Sequence, residues 1–329
     1  MNSTGNKMKV LKLLNAVLIF VLMFNVQCSK DKQNDNIINE NNTIKDIKNK
    51  QVNTDSGDYY TLAVNPHDNR KRLIKNFKAF VDYLSEKLDK PVKLIITRNY
   101  DEIGKVLNEN KVDFAIVSPT LYVKSKHKYP KIKYVATVVS KKTGKPFYHG
   151  VIITRKQSGI KDYRQLKNKL FAFVERSSGS GFVFPVSLMI NKWGIDPKTY
   201  FKSTLFMGNH SNVVKAVLSG QAHAGATWEK PLEYARKNKS GKVLNVLLKS
   251  PPIPLDAFAV KPDTKPGLIR KLRGILLTIN SNTKTSKGDF VTKLNYYKGF
   301  VVKSNGFYNI IRITLKTVKK WQRKWKMKK

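Results

Sequence analysis

The chain has a single cysteine, Cys28, in 329 residues. A disulfide framework and a paired-cysteine metal site are therefore excluded. Acidic residues are scarce: 22 Asp and Glu stand against 63 Lys and Arg, which leaves a net charge of +41. That excludes a near-neutral surface and points to anionic partners, whether nucleic acid, lipid headgroups or small oxyanions. Richness in Lys, Asn and Ile is also what an AT-rich coding region yields, so composition is a competing source of the charge. The N-terminal apolar run, Leu13–Phe24, is too short for a spanning helix, which needs ~20 residues. No Gly-rich loop ends in GKS or GKT, and GxGxxG, HExxH and a Ser/His/Asp setting are all missing. These absences argue against an enzyme, and against a cofactor or a metal. What remains is 41% apolar residues and 10% aromatics, enough for a core and too much for a disordered chain. The length suits two domains.

The N-terminus carries an export pattern. Lys7, Lys9 and Lys12 precede the apolar run, and Cys28 follows it. A cysteine at that place resembles a bacterial lipoprotein signal, in which it becomes the lipidated first residue. Gln27 stands directly before it, where a small residue is usual. An ordinary signal peptide with an incidental cysteine is the competing reading. Residues 29–57 are polar and Asn-rich with no apolar period, as expected of a flexible tether. An exported, tethered body disfavours nucleic acid as the partner.

From Tyr59 onward, short apolar runs alternate with helical periods. Strands are expected at Tyr60–Val64, Val92–Ile96, Phe114–Val117, Ile132–Val139 and Gly150–Thr154. Helices are expected over Arg72–Leu88 and Asp101–Leu107, and from Pro119. A second set places strands at Leu170–Val174, Ser203–Phe206, Ala222–Ala226, Val243–Leu248 and Ala257–Val260. Its helices are Gly181–Trp193, Ser211–Ser219, Lys230–Arg236 and Pro266–Ile279. This order is that of an α/β protein with mainly parallel sheets. Asn309–Lys329 has basic residues, no acid and a loose helical apolar spacing. It reads as an amphipathic helix packed on the body with a solvated lysine face, rather than one that binds a membrane.

Chemistry gathers at loops that follow strands, where open α/β sheets bind ligands. Ser177-Ser178-Gly179-Ser180-Gly181 lies between a strand and a helix. Hydroxyls and free amides at the positive end of a helix make an anion site. The same residues also suit a capping turn with Ser180 as its N-cap. His210 opens another helix, as a cap or as an anion donor. Glu229 follows a further strand, and Asp256 ends a proline-rich loop.

Five segments in order resemble the periplasmic phosphonate-, phosphite- and phosphate-binding proteins of ABC importers, the PhnD-like family. They are Val112–Tyr122, with Ser118-Pro119-Thr120-Leu121-Tyr122 at its end; Tyr148–Ile153; Ser178–Pro185; Gly208–Gly220, with His210 within it; and Pro251–Asp256. The resemblance runs from about Tyr59 to about Leu276. It implies a type II periplasmic binding protein, in which two α/β lobes are joined by two crossover strands near Gly150–Thr154 and Ala257–Val260. Residues 58–150 with 257–329 would form one lobe, and 151–256 the other. The implied ligand is a phosphorus oxyanion, held by Ser178, the Gly179 amide, Ser180 and His210. Tyr122 would line the cleft from the opposite lobe, and Tyr148 would line it or pack at the hinge. Glu229 and Asp256 would hold a cationic or hydroxyl-bearing part of the ligand.

Two departures affect the choice of ligand. Gly179 stands where the family has a threonine, so one hydroxyl is lost. His223 stands where the family usually has an aspartate. The implied partners are an ABC permease and, through Cys28, the membrane; a monomer is expected. A binding protein for another oxyanion or organic ligand, and a sensor feeding a separate kinase, are the alternatives.

Overall fold

The first βα set forms β1 (Tyr60–Val64), α1 (Arg70–Leu88), β2 (Val92–Ile96), α2 (Glu102–Asn108), β3 (Phe114–Val117), α3 (Pro119–Lys128) and β4 (Lys133–Ser140). The computed structural model describes residues 58–237, 243–293 and 296–326. The expected signal, tether and Cys28 lie outside these residues. α1 shows how sequence becomes structure here. The Asn69 side chain accepts from the amides of Lys71 and Arg72, which caps the helix start. Leu73, Phe77, Phe80, Leu84 and Leu88 then recur on one face and are buried against the sheet. Truncating Phe80 to alanine would cost about 3–5 kcal/mol.

The chain next makes the two-residue β5 (Phe147–Tyr148) and β6 (Gly150–Arg155). β7 (Leu170–Phe173), a π-helical turn (Gly179–Val183), α4 (Phe184–Asn191), α5 (Pro197–Tyr200) and β8 (Ser203–Phe206) follow. α6 (His210–Ser219), closed by Gly220 in the left-handed region, leads to β9 (Ala224–Trp228), α7 (Glu229–Lys237) and β10 (Leu244–Lys249). β11 (Ile253–Pro254), β12 (Ala257–Val260), α8 (Pro266–Thr278), β13 (Tyr297–Val301) and α9 (Asn309–Lys326) complete the order.

Two main sheets result. One has the order β13-β4-β12-β3-β1-β2, the other β10-β6-β9-β7-β8. β1 pairs in parallel with β2 and β3, and β7 with β8 and β9. β12, β13, β6 and β10 bring antiparallel pairings, so both sheets are mixed rather than mainly parallel. The physical reason is the path of the chain. β6 and β12 arrive from the other sheet and, unlike strands joined by a βαβ crossover, are free to run the opposite way; β10 and β13 each follow a helix within their own sheet and pair with a strand that runs opposite to them.

The chain passes between the sheets twice. Both passages run through one small ribbon, in which Tyr148 pairs with Ile253 and Phe147 with Pro254. The crossings therefore lie one step before the expected strands; β6 and β12 are the first full strands of the sheets they enter. β13 was not expected from the sequence. β9 starts two residues later than expected, and the helix expected from Gly181 opens as a π turn at Gly179. All these elements belong to one compact unit. α9 packs against α3 on one side and against α4 and the π turn on the other. Ile311 and Val318 are buried, and the Trp321 indole donates to Asp196 at 2.8 Å. The packed reading of this helix is the one seen, over its described residues.

Candidate functional site

The carboxyl ends of β1, β2 and β3 carry Asn65, Tyr100 and Ser118 on the loops that follow them. Those of β7, β8 and β9 carry the serine loop, His210 and Trp228. Contacts bring the two groups together. A Cβ placed on Gly179 would stand 2.7 Å from the Thr120 hydroxyl of α3 and 3.5 Å from the Tyr148 hydroxyl. The His210 amide donates to the His67 carbonyl at 3.4 Å. Three helix starts, those of α3, the π turn and α6, therefore meet at one cleft.

The serine loop is held from within. Ser178 Oγ accepts from the Gly181 amide at 3.1 Å, and the Val183 amide reaches the Ser178 carbonyl at 3.0 Å. The cap is thus Ser178 rather than Ser180. A side chain at 181 would collide with Val174, which is why the loop closes on glycine. Ser180 lies against Gly150 and the Tyr148 hydroxyl. Burial pushes the Tyr148 phenol well above its usual range, although Ser180 hydrogen bonding opposes this.

Among the described residues, four of the six buried side-chain polar atoms without a protein partner lie on the loops and helix start after β1, β2 and β3. They are Asn65 Nδ2, the Tyr100 hydroxyl, Ser118 Oγ and Thr120 Oγ1. Asn65 is fixed by the Ser118 amide, which donates to its Oδ1 at 3.3 Å, and this leaves Nδ2 free to donate. Tyr100 sits beside Ser178, and its phenol is raised chiefly by burial. Leaving a buried donor unpaired costs about 1–3 kcal/mol each, so a cluster of them calls for a bound acceptor.

His210 is neutral. Burial, aided by the positive field of His67 and opposed by Asp68, pushes its imidazole down to about 3. Its Nδ1 is 3.1 Å from the Thr227 hydroxyl. With that hydroxyl as donor, Nε2 carries the proton and is a donor. Asp256 accepts from the Tyr296 hydroxyl at 2.5 Å. Burial raises its pKa, while Tyr296 and His67 pull it back. Asp256, Tyr148 and Tyr296 keep intermediate exposure despite this desolvation, as expected of side chains that line a narrow internal space. Trp228 completes the wall, with its ring centroid 5.5 Å from Tyr148 and 5.3 Å from Tyr296.

Of the expected site residues, Ser178, Gly179, Ser180, His210, Tyr148 and Asp256 come together. Tyr122 does not join them. Its ring packs on Tyr134 and Tyr308, with centroids 6.0 and 4.9 Å away. Two residues beyond Thr120 on a helix is the opposite face. Glu229 pairs with Lys249 at 2.9 Å instead of entering the cleft, and the preceding Trp228 enters in its place. His223 accepts from the Leu170 amide through Nδ1, so its exchange for an acid is a structural matter here. Asn65, His67, Tyr100, Ser118, Thr120, Trp228 and Tyr296 were not anticipated. The strand-end rule that pointed to the serine loop would have found the first five had it been applied to the loops after β1, β2 and β3.

Comparisons with known proteins bear on the family and the fold. Residues 62–305 match the family model described as ABC transporter, phosphonate, periplasmic substrate-binding protein. The phosphate-import protein PhnD of Mycolicibacterium smegmatis is 23% identical over 225 residues, 65% of this chain and 69% of that protein. The probable ABC transporter phosphite-binding protein PhnD1 of Prochlorococcus marinus is 27% identical over 190 residues; the match spans 56% of this chain and 62% of that protein. The structure of that PhnD1 with methylphosphonate superposes with a TM-score of 0.72 at 22% identity, covering 80% of this chain and 99% of that one. A binding protein component of a phosphonate ABC transporter from Pseudomonas aeruginosa gives 0.70 at 21% identity, covering 79% and 87%.

Proposed function

The chain belongs to the periplasmic substrate-binding proteins of phosphonate ABC transporters, and from that premise we propose that it captures a small phosphorus oxyanion between its two sheets. Membership of this family implies an exported protein that works with an ABC permease. The observation that carries the ligand class is the cluster of buried, unpartnered donors opposite the serine loop. Neutral donors and helix starts suit a compact oxyanion, whose charge they disperse without an ion pair. Phosphonate, phosphite and phosphate share this chemistry. Asp256, held by Tyr296, suits a ligand that brings its own proton on a P–OH or an ammonium, because a bare carboxylate would repel the anion.

In this reading Ser178, the Gly179 amide, Ser180 and His210 grip the oxyanion. Residues 58–150 with 257–329 close against 151–256 about the β5–β11 ribbon. The ligand leaves unchanged, so incubation with phosphonates gives no turnover. Acylation of Cys28 and a tether over 29–57 hold a monomer at the membrane; labelled palmitate then enters the wild type and not Cys28→Ser.

Calorimetry with methylphosphonate, phosphite, phosphate and sulfate tests the site. Ser180→Ala and His210→Ala should each weaken the best phosphorus ligand by roughly tenfold to a hundredfold. Unchanged affinity in both, or a preference for sulfate, rejects the reading.

A further inference from the structure

We propose that Gly179 and Thr120 form one subsite across the cleft, in which the Thr120 hydroxyl donates to the bound oxyanion from the side facing the serine loop. This rests on the oxyanion reading above and adds a residue to it. Thr120 is the second residue of α3, behind Pro119, and is 0% exposed. Its Oγ1 has no hydrogen-bond partner. It is not a helix cap, and no carbonyl of the preceding turn accepts from it. The unpaired hydroxyl is aimed at the loop, since the nearest atom to a Cβ on Gly179 would be Thr120 Oγ1 at 2.7 Å.

The glycine therefore has an identifiable cause. Gly179 is not among the glycines with positive φ, so its backbone does not require it. Nor does the loop's internal hydrogen bonding, which runs through Ser178 and Gly181. What excludes a side chain at 179 is the hydroxyl opposite. Absence of a side chain in the loop and presence of a hydroxyl on α3 are two halves of one arrangement. Beside this contact, a ligand oxygen accepts from Thr120 Oγ1 while the first-turn amides of Gly179 and Ser180, which have no intrahelical acceptors, face it from the loop. Ser118 Oγ, two residues before Thr120, and Asn65 Nδ2, whose side-chain oxygen accepts from the Ser118 amide, are also unpartnered. The hydroxyl that the loop lacks at its centre is thus supplied from the other sheet. It becomes available to the ligand only when the two sides are together.

The test uses calorimetry and thermal melting of the full chain, with methylphosphonate, phosphite, phosphate and sulfate as probes. Thr120→Val keeps the shape and removes the hydroxyl. It should weaken the best probe roughly tenfold or more, while the free protein melts no lower than wild type, because an unpaired buried hydroxyl has been removed. Gly179→Ser alone should weaken binding by a similar factor through collision with Thr120. Gly179→Ser with Thr120→Ala, which moves the hydroxyl across the gap, should bind more tightly than either Gly179→Ser or Thr120→Val. Wild-type affinity in Thr120→Val, or a double variant no tighter than the single ones, overturns the subsite and leaves the oxyanion reading intact. Failure of the wild type to bind any probe overturns both.

Discussion

Burial fixes the charge state of His210 and so sets an acid limit on the protein. Its imidazole is held down at about 3, against an ordinary value of 6.5, with His67 and Asp68 as its charged neighbours. Below about pH 6.5 the unfolded chain takes up a proton that the folded one refuses. Stability therefore falls as the pH drops through the window from 6.5 to 3, by up to ~1.4 kcal/mol per unit from this group. His210→Asn removes the group, and its melting temperature should decline less steeply over that window than that of the wild type. At this scale the sequence was half legible. Ser178, Ser180 and His210 stand in runs that announce a helix start. Asn65, Tyr100 and Thr120 carry no motif of their own: the strand-end rule marks their loops, but which side chain faces the ligand is shown by its unpaired atom, and pairing is a property of the folded chain.

Two polar clusters connect elements across the cleft. Ser211, in the first turn of α6, donates to Asp68 at 2.5 Å and accepts from Arg72 at 3.2 Å. Ser177 donates to Asp101 at 2.5 Å and accepts from Lys124 at 2.7 Å. Burial raises the Asp101 carboxyl, but hydrogen bonds from Ser177 and Lys124 outweigh it, and the net shift is downward. The contribution of this cluster is therefore present above the ordinary carboxylate range and lost as the pH falls through the lowered value. Ser177→Ala with Ser211→Ala should weaken ligand binding roughly tenfold, mainly through faster release, while the site itself is untouched. Stopped-flow dissociation reads this directly, and an unchanged release rate would remove these contacts from the closing mechanism. Helices and strands with a clean period, such as α1 and β3, were legible. β13 was not, because Tyr297–Val301 contains a lysine and a glycine that break its apolar run. The β5–β11 ribbon, two residues a side, is too short to carry a period at all.

The whole chain carries a net charge of +41, yet its site is built from neutral donors. Lys124 and Arg72, at the edges of the cleft, are engaged by Asp101 and Asp68. Long-range attraction and short-range grip are thus separate. Raising the salt from 20 to 200 mM (about a threefold shorter Debye length) should slow ligand association several-fold. The dissociation rate should change by less than about twofold, because the bonds made to the ligand are not ion pairs with exposed cations. A dissociation rate as salt-sensitive as association would contradict a neutral site.

The C-terminal helix α9 touches α3 on one side of the cleft and α4 on the other. A two-residue ribbon by itself would let the halves swing widely. A helix seated on both acts as a stop, and full opening has to lift Val318 and Trp321 off their seats. The protein should then spend its unliganded life ajar, admitting small solutes through brief, narrow excursions. Trp321→Ala loosens the stop: the free protein should show a larger radius of gyration in solution scattering, and the liganded one should not.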